Sequence, residues 1–158
     1  MTMSKLKNLR YKTLDLSNSE ETIQSVEVLH LCFPGNDRYS VERLVNELKE
    51  QSDAFYRHFF AATISENGRS RVVGVAGIKA ADWASDTHIL YLSAVHPEFR
   101  NQGIGKELLK QRLVWVRSKF KHGRVLVSTT KLERFKNFNF RDVTKSCEKG
   151  RSLMVMEF

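Results

Sequence analysis

Apolar and polar positions in the first half of the chain predict a strand, two helices and a hairpin. The first strand is expected over Leu9–Leu16, and the two hairpin strands over His58–Ser65 and Val72–Lys79. Asn67-Gly68, between the last two, is typical of a tight hairpin turn. Two apolar stripes at helical spacing lie between the first strand and the hairpin: Ile23, Val26, Leu29 and Phe33, then Val41, Leu44, Val45 and Leu48.

Polar residues mark the ends of these two predicted helices. Ser17 with Glu20 predicts a capping box at the start of the first helix, and Ser40 predicts a cap for the second. The run Pro34-Gly35-Asn36-Asp37 predicts a break between the helices, because proline and glycine interrupt helical structure.

The second half of the chain predicts two strands, two helices and a closing hairpin. We expect a strand at His88–Val95, a helix at about Gly105–Phe120, a strand at Arg124–Ser128, a short helix from Leu132 to about Phe138, and a hairpin of Asp142–Cys147 and Leu153–Phe158 around Lys149-Gly150-Arg151. No linker, repeat or low-complexity segment interrupts this order. Residues 1–158 are therefore expected to form a single domain.

Composition narrows the class of protein without choosing a function. The chain has 158 residues, 41% of them hydrophobic, and a formal charge of +8, which is typical of a globular domain that attracts polyanions. Cys32 and Cys147 match neither a disulfide framework nor a metal motif, and no metal is expected. Met1–Lys12 has no apolar segment typical of a signal peptide, and no apolar run is long enough to span a membrane. We therefore expect a cytoplasmic protein that does not contact a membrane.

The strongest chemical signal is the segment Val95–Lys106. Pro97 ends an apolar run because it cannot donate to a sheet, and an amphipathic helix follows the segment. Gly103 and Gly105 lack a Cβ, so backbone N–H groups there can approach a ligand closely. The helix begins with unpaired N–H groups and a partial positive charge, and Arg100 adds a full charge. This combination predicts a binding site for phosphate.

Two common phosphate-binding loops do not fit this segment. A P-loop needs a first glycine where Arg100 stands, and it needs Ser or Thr where Glu107 follows Lys106. A dinucleotide-binding fingerprint needs a third glycine where Leu108 stands, and it follows the first strand of a parallel unit, whereas this loop lies past the middle of the chain.

A third phosphate-binding pattern does fit. Val95, Pro97, Arg100, Gly103 and Gly105 follow the pattern V-x-P-x-x-R-x-x-G-x-G, which resembles the acetyl-CoA signature of the GCN5-related N-acetyltransferases (GNAT). The predicted order of elements is similar to that family's along nearly the whole chain. The resemblance implies an α/β (α+β) fold, a mixed and mostly antiparallel sheet of about seven strands flanked by about four helices. It also implies that coenzyme A (CoA) enters a V-shaped gap between the fourth and fifth strands.

The same resemblance assigns residues to the cosubstrate acetyl-CoA. Ala94 and Val95 would offer backbone groups to the pantetheine arm, and Arg100 would pair with the pyrophosphate. Asn101 and Gln102 are either side-chain contacts to phosphate or exposed loop residues. The backbone N–H groups expected to hold the pyrophosphate are those of Gln102, Gly103, Ile104, Gly105 and Lys106.

The positions that would move protons depart from the family's pattern. Phe135 stands where the family often has a tyrosine acid, and Tyr91-Leu92-Ser93 contains no carboxylate base. His88 is the first candidate base because imidazole titrates near neutral pH, with a solvent-facing strand residue as the alternative. Tyr91 is a candidate acid or polar wall, with a core tyrosine as the alternative.

The acceptor side of the site is the least defined by the sequence. Asp37 and Tyr39 lie in the loop between the first two helices, which lines the acceptor site in the family, or else they only form a turn. The interpretation is an acetyl-CoA-dependent N-acetyltransferase that acts on a primary amine of a small molecule or peptide by direct attack in a ternary complex. A homodimer is an expectation by fold analogy alone.

Two other functions stay open on the sequence. Phe135 and the absence of a carboxylate from the fourth predicted strand favour a CoA-binding module without catalysis. The charge of +8 favours a basic protein that interacts with nucleic acid. The second is the weaker interpretation, because the patterns typical of nucleic-acid-binding modules are absent.

Overall fold

A computed structural model of the chain describes residues 8–49, 55–144 and 150–158. The strands in these ranges are β1 (Arg10–Thr13), β2 (Arg57–Glu66), β3 (Arg69–Ala80), β4 (Thr87–Val95), β5 (Arg124–Thr129), β6 (Arg141–Asp142) and β7 (Ser152–Glu157). The helices are α1 (Ser19–Cys32), α2 (Val41–Glu47), α3 (Ile104–Lys119) and α4 (Leu132–Lys136). Within these ranges no helix has the length and apolar character needed to cross a membrane.

All of the strands belong to one mixed sheet. Their order is β1-β2-β3-β4-β5-β7-β6, and every pair of neighbours is antiparallel except β4 and β5, which are parallel. The predicted sheet of about seven strands flanked by about four helices is confirmed. The single parallel pair lies in the middle of the sheet, where it leaves an opening.

The opening is the point at which β4 and β5 separate. Their pairing covers only Thr87–Ile89 of β4 and Arg124–Leu126 of β5. From Leu90 to Val95, β4 is paired with β3 alone. Because the two strands diverge there, the edge of β4 is available to a ligand, as expected for a V-shaped gap.

A bulge interrupts β4 within this free part. Val75 of β3 pairs with Ala94 and Gly77 pairs with Tyr91, so two residues of β4 lie opposite the single residue between them in β3. One of the two, Leu92, has a φ of 47°, which is unusual for a residue with a Cβ. A bulge of this kind leaves its extra residue outside the ladder and redirects the side chains beside it.

Helices cover both faces of the sheet. On one face, Leu29 of α1 and Leu44 of α2 are fully buried against Phe59 of β2. On the other face, Ile104 and Leu108 of α3 are buried in a second cluster. Of the two predicted stripes, Val26, Leu29, Leu44 and Leu48 are buried in the core, whereas Ile23, Val41 and Val45 are exposed. On the other face, α3 lies directly beneath β3 and β4.

The predicted hairpin is confirmed, and its turn has the expected chemistry. β2 and β3 pair from Arg57 to Glu66 and from Arg69 to Lys79. Asn67 and Gly68 have φ values of 50° and 77°. Two successive positive φ values define the turn that matches the twist of a tight hairpin.

The caps of α1 and α2 differ from the prediction. Asn18, not Ser17, caps α1: its Oδ1 accepts from the N–H groups of Glu20 and Glu21 at 3.1 and 3.2 Å. The Ser17 hydroxyl donates instead to Asp15 at 2.6 Å, so it is not free to cap the helix. Ser40 occupies the N-cap position of α2 but its side chain makes no capping hydrogen bond.

Three predicted elements are shorter in the structure. β1 covers only four residues of the first strand, which was expected over Leu9–Leu16. The short helix ends at Lys136, since Asn139 takes a φ of 65° and the Phe140 N–H turns back to the Phe135 carbonyl at 3.2 Å. β6 begins one residue before the expected hairpin strand and pairs over two residues. Residues 145–149 lie outside the described residues, so the second half of the predicted strand Asp142–Cys147, including Cys147, and Lys149 of the predicted turn are not covered.

Candidate active site

A cleft of about 380 Å³ lies between the free edge of β4, the first half of α3, and α4. Its walls include Cys32 at the end of α1, Ser93 in the β4 bulge and Phe135 in α4. The following predicted cosubstrate-binding residues also line it: Ala94, Val95, Arg100, Asn101, Gly103, Ile104, Gly105 and Lys106. Gln102 is not among the lining residues, and its side-chain amide donates to the Glu98 carbonyl at 3.5 Å.

A glycine bend, formed by residues 101–105, lines the cleft at the start of α3. Asn101 and Gly103 have φ values of 61° and 81°, and Gly103 is the N-cap of α3. A Cβ at Gly105 would lie 3.3 Å from Nη1 of Arg134. The N–H groups of the first turn of α3 have no partner within the helix and carry a partial positive charge. The bend therefore presents donors to an anion, with an arginine directly beside them.

The charge of the cleft is strongly one-sided. Its described lining residues include no Asp or Glu, and its basic members are Arg100, Lys106, Arg112, Lys131 and Arg134. Cations concentrated in a concave site raise the local concentration of anions. The cleft thus favours a ligand that carries negative charge. Arg134 and Lys131 were not predicted as site residues, and only their proximity to Phe135 in the chain could have indicated them.

Two residues predicted to contact CoA, Arg100 and Val95, form hydrogen bonds within the protein in this structure. Arg100 donates from Nε to the Val95 carbonyl at 3.0 Å and from Nη2 to Sγ of Cys32 at 3.2 Å. The Cys32 thiol also donates to the Val95 carbonyl at 3.3 Å. The guanidinium of Arg100 therefore fixes the end of β4 to α1, and its pairing with pyrophosphate stays a prediction.

Arg112 is the residue that sequence reasoning missed most clearly. It lies on the core face of α3, is only 3% exposed, and lines the cleft. Its Nη1 donates to Oγ of Ser93 at 2.8 Å and to the Gly77 carbonyl at 3.1 Å. Burial, aided by the nearby Arg134 guanidinium, lowers the pKa of Arg112 to about 9. Its position in the apolar stripe, four residues after Leu108, was the signal available in the sequence.

Phe135 lies where the resemblance expects a proton donor. It is buried, lines the cleft, and packs edge-on against Phe140 with ring centroids 5.4 Å apart. A phenyl ring has no proton to donate. The position therefore contributes an apolar wall instead of an acid.

The candidate acid Tyr91 lies on the face of the sheet that α1 and α2 cover, opposite the face that α3 covers. Its hydroxyl is buried and has no hydrogen bond of normal geometry among the described residues. Burial and the nearby Glu47 carboxylate raise the pKa of Tyr91, and Arg57 opposes them. Arg57 Nε lies 3.4 Å from Oε2 of Glu47, and Lys79 lies 4.5 Å from the centre of the Tyr91 ring. Glu47, at the end of α2, thus supplies a carboxylate beside β4 that the sequence of β4 lacks.

The candidate base His88 lies at the closed end of the gap, where β4 still pairs with Val125 of β5. It is 3% exposed, so the solvent-facing alternative is wrong. Its Nδ1 shares a hydrogen bond of 2.6 Å with the Tyr56 hydroxyl, and the Phe120 ring lies against it at 4.4 Å. Burial lowers the pKa of His88. His88 is not brought to the cleft, and its role as base stays a prediction.

The two predicted acceptor residues lie in a single 3₁₀ turn, Asp37–Tyr39, between α1 and α2. The ring of Tyr39 stacks on Phe33 with centroids 4.0 Å apart, and Phe33 lines the cleft. Burial raises the pKa of Tyr39. Tyr39 is therefore separated from the cleft by one aromatic ring, and Asp37 is exposed at the start of the turn.

Comparison with known proteins agrees with this geometry. The model of the acetyltransferase (GNAT) family matches residues 24–139, so the chain belongs to that family. This range contains the glycine bend, the cleft walls and most of the sheet. A search of curated protein sequences found no match.

Solved structures with the same fold cover almost the whole chain at low sequence identity. An aminoglycoside 6'-N-acetyltransferase complexed with coenzyme A is 14% identical, with a TM-score of 0.73 over 94% of this chain and 96% of that one. The PaiA N-acetyltransferase of Thermoplasma acidophilum, also with coenzyme A, is 15% identical, with a TM-score of 0.66 over 95% and 99%. The ribosomal-protein-S18-alanine N-acetyltransferase of Escherichia coli is 12% identical, with a TM-score of 0.68 over 94% and 93%.

Proposed function

We propose that this protein is an acetyl-CoA-dependent N-acetyltransferase that transfers the acyl group to a primary amine of a small molecule or peptide by direct attack in a ternary complex. The observation that carries the proposal is the glycine bend at the head of α3, opening onto a basic cleft that continues to the gap between β4 and β5. Membership of the GNAT family supports acyl transfer from a CoA thioester.

The residues of the cleft fit the parts of acetyl-CoA in order. The N–H groups of the bend, with Lys106 and Arg134, suit a pyrophosphate, since a Cβ at Gly105 would crowd that space. Ala94 and Val95 lie along the free edge of β4, where an extended arm can run beside the strand. Ser93, in the bulge, lies where that arm reaches the gap. When bound, acetyl-CoA supplies an activated acyl group.

The backbone at the bulge is the expected donor to the thioester carbonyl. An amide that is fixed before the reaction and points at a developing negative charge lowers the barrier without reorganisation. Positioning the amine and the acyl group in one cleft supplies a further part of the rate enhancement. Neither contribution needs a protein acid, so Phe135 does not exclude catalysis.

The amine must lose a proton, and Glu47, which lies outside the lining of the cleft, is the proposed proton acceptor. It lies beside Tyr91, on the face of the sheet opposite α3, so an amine could enter the gap from that side. A tyrosine is protonated near neutral pH, and burial raises the pKa of Tyr91 further, so its hydroxyl can orient an acceptor by donating a hydrogen bond. His88 stays the alternative base that the sequence predicts.

A binding assay and a transfer assay test the proposal in sequence. We expect CoA to raise the thermal midpoint of unfolding in a concentration-dependent way, and acetyl-CoA to release thiol in the presence of at least one amine of a panel of small molecules and peptides. The test variant is Gly105→Val, which fills the bend. Its matched control is Lys110→Val, which places the same side chain at an exposed position of α3. No midpoint shift at millimolar CoA contradicts the proposal.

A CoA-binding module without catalysis is the second candidate, and Phe135 is the observation that favours it. A midpoint shift with CoA and no thiol release across the whole panel supports this alternative. Salt-sensitive binding to nucleic acid without a CoA response would instead support the interpretation based on net charge.

A further inference from the structure

Arg112 is a buried cation without an anionic partner. None of the ion pairs among the residues that the structure describes includes it, and its nearest charged influence is another cation, Arg134. Removing a charge from water is costly unless hydrogen bonds or an opposite charge compensate. A helix position in the core stripe is normally occupied by an apolar residue. A negative group bound in the cleft would therefore stabilise the charge of Arg112.

The hydrogen bonds of Arg112 fix its direction and leave one edge of the guanidinium open. Nε donates to the Leu108 carbonyl at 3.3 Å, and Nη1 donates to Oγ of Ser93 and to the Gly77 carbonyl. All three acceptors are neutral. These bonds engage Nε and Nη1, while Nη2 has no hydrogen-bond partner in the described ranges of the chain. A guanidinium held in this way loses little entropy when it donates to a further partner.

The place at which Arg112 is held is the part of the cleft where the reacting atoms are expected. Its contacts with Gly77 and Ser93 join both sides of the β4 bulge. An arm that starts at the glycine bend and runs along Val95 and Ala94 reaches Ser93 next. Phe135 lines the same cleft and cannot protonate a leaving group.

We propose that Arg112 is a catalytic residue that stabilises the CoA thiolate as it leaves, through the open Nη2 edge of its guanidinium. This inference rests on the proposed function. In the step, the amine nitrogen forms a bond to the thioester carbonyl carbon, and the bond from that carbon to sulfur breaks with its electron pair on sulfur. The amine proton goes to the base, and the sulfur leaves as a thiolate paired with Arg112. Electrostatic stabilisation thus replaces the proton that Phe135 cannot give.

The ionisation of bound CoA tests this directly, because the ultraviolet absorbance of a thiolate differs from that of a thiol. Bound CoA is titrated in wild type, Arg112→Met, Arg112→Lys and, as control, Lys110→Met, which removes an exposed cation from the same helix. We expect the pKa of the bound thiol in wild type to lie about one to three units below that of free CoA. Lys110→Met should match wild type, Arg112→Lys should keep part of the shift, and Arg112→Met should lose it.

Affinity and turnover separate this electrostatic role from a structural one. At a pH where bound CoA is a thiolate, Arg112→Met should weaken binding of CoA at least tenfold while leaving the affinity for desulfo-CoA unchanged. Its kcat with acetyl-CoA should fall on the order of a hundredfold, as for the loss of a preorganised donor. Since a buried charge is replaced by an apolar side chain of similar length, the variant should remain folded.

Three results would overturn the inference. If the bound thiol titrates alike in wild type and Arg112→Met, Arg112 does not pair with sulfur. If desulfo-CoA and CoA lose affinity equally, the arginine only supports the bulge. If Arg112→Met slows transfer from succinyl-CoA but not from acetyl-CoA, the cation serves a carboxylate on the acyl chain. Failure of the wild type to bind CoA at all would instead contradict the proposed function, and this inference with it.

Discussion

Gly74 of β3 and Ile104 of α3 are in such close contact that a Cβ at position 74 would lie 3.1 Å from Cγ2 of Ile104. Ile104 is the first residue of α3 and is buried, with 1% of its surface exposed. The contact therefore fixes the start of α3 directly beneath the sheet. Since Ile104 lies inside the glycine bend, the same contact fixes the position of the bend relative to β4.

Gly74→Val should lower both stability and CoA affinity. Added bulk must displace Ile104 and also Leu108, whose Cδ1 lies equally close at 3.1 Å, and overpacking of this kind costs about 1–3 kcal/mol. Urea unfolding measures the free energy of unfolding, and calorimetry measures the affinity for CoA. Unchanged values of both quantities would show that the helix tolerates the shift and that the contact does not position the bend.

Much of this arrangement was predictable from sequence because it is encoded locally. Val95, Pro97 and the two glycines define a strand, a bend and a helix within a dozen residues, and Val26 and Leu29 of the first stripe mark the buried face of α1. Asn67-Gly68 likewise fixes its own turn. These signals depend on neighbours in the chain, and the structure confirms the elements that they predict.

The parts that could not be predicted depend on contacts between distant segments. Glu47 and Tyr91 meet only because the end of α2 lies beside Arg57 of β2, next to β4, and nothing in either segment indicates the other. Arginine is normally a surface residue, so the sequence does not indicate that Arg112 is buried. Its burial depends on Ser93, which the β4 bulge brings within hydrogen-bond distance. The bulge itself rests on a positive φ at Leu92, a residue type that gives no local signal for it.

Glu47→Gln should lower kcat by about a hundredfold or more if Glu47 accepts the amine proton, with little change in KM for acetyl-CoA. Glu42→Gln is the matched control, because Glu42 lies exposed in the first turn of the same helix. Initial rates measured over a range of acetyl-CoA concentrations separate kcat from KM. The account predicts a large loss for the first variant and wild-type values for the second.

The comparison with His88→Gln decides between the two candidate bases. This substitution removes a hydrogen bond to Tyr56 in a buried aromatic cluster, so stability should fall while kcat of the folded protein is retained. A loss of kcat in His88→Gln at unchanged stability, together with an active Glu47→Gln, would assign the base to His88 instead.

Acid should destabilise the protein through His58. This ring stacks on Trp115 with centroids 4.3 Å apart, and burial, with the nearby Lys119, lowers the pKa of His58 to about 4. The unfolded chain, with a His pKa near 6.5, therefore binds the proton first as the pH falls. The stabilisation is fully present above about pH 6.5 and is lost as the pH falls towards 4.

Urea unfolding of wild type and His58→Phe between pH 7 and pH 4 measures this effect. Other histidines contribute to the slope in both proteins, so the difference between them isolates His58. We expect the free energy of unfolding to fall more steeply with acid in wild type than in the variant. Parallel curves would show that His58 is as easily protonated in the folded protein as in the unfolded chain.

The central claim is that the glycine bend binds the diphosphate of CoA, and calorimetric titration of CoA into three proteins tests it most directly. Gly103 and Gly68 have nearly the same φ, 81° and 77°, and neither has an atom within 4 Å of a Cβ placed there. Gly103→Val and Gly68→Val therefore introduce similar backbone strain, one in the bend and one in the distant hairpin turn. The account predicts tight binding by wild type and Gly68→Val, and at least a tenfold loss of affinity in Gly103→Val. Equal affinities in all three folded proteins would contradict it.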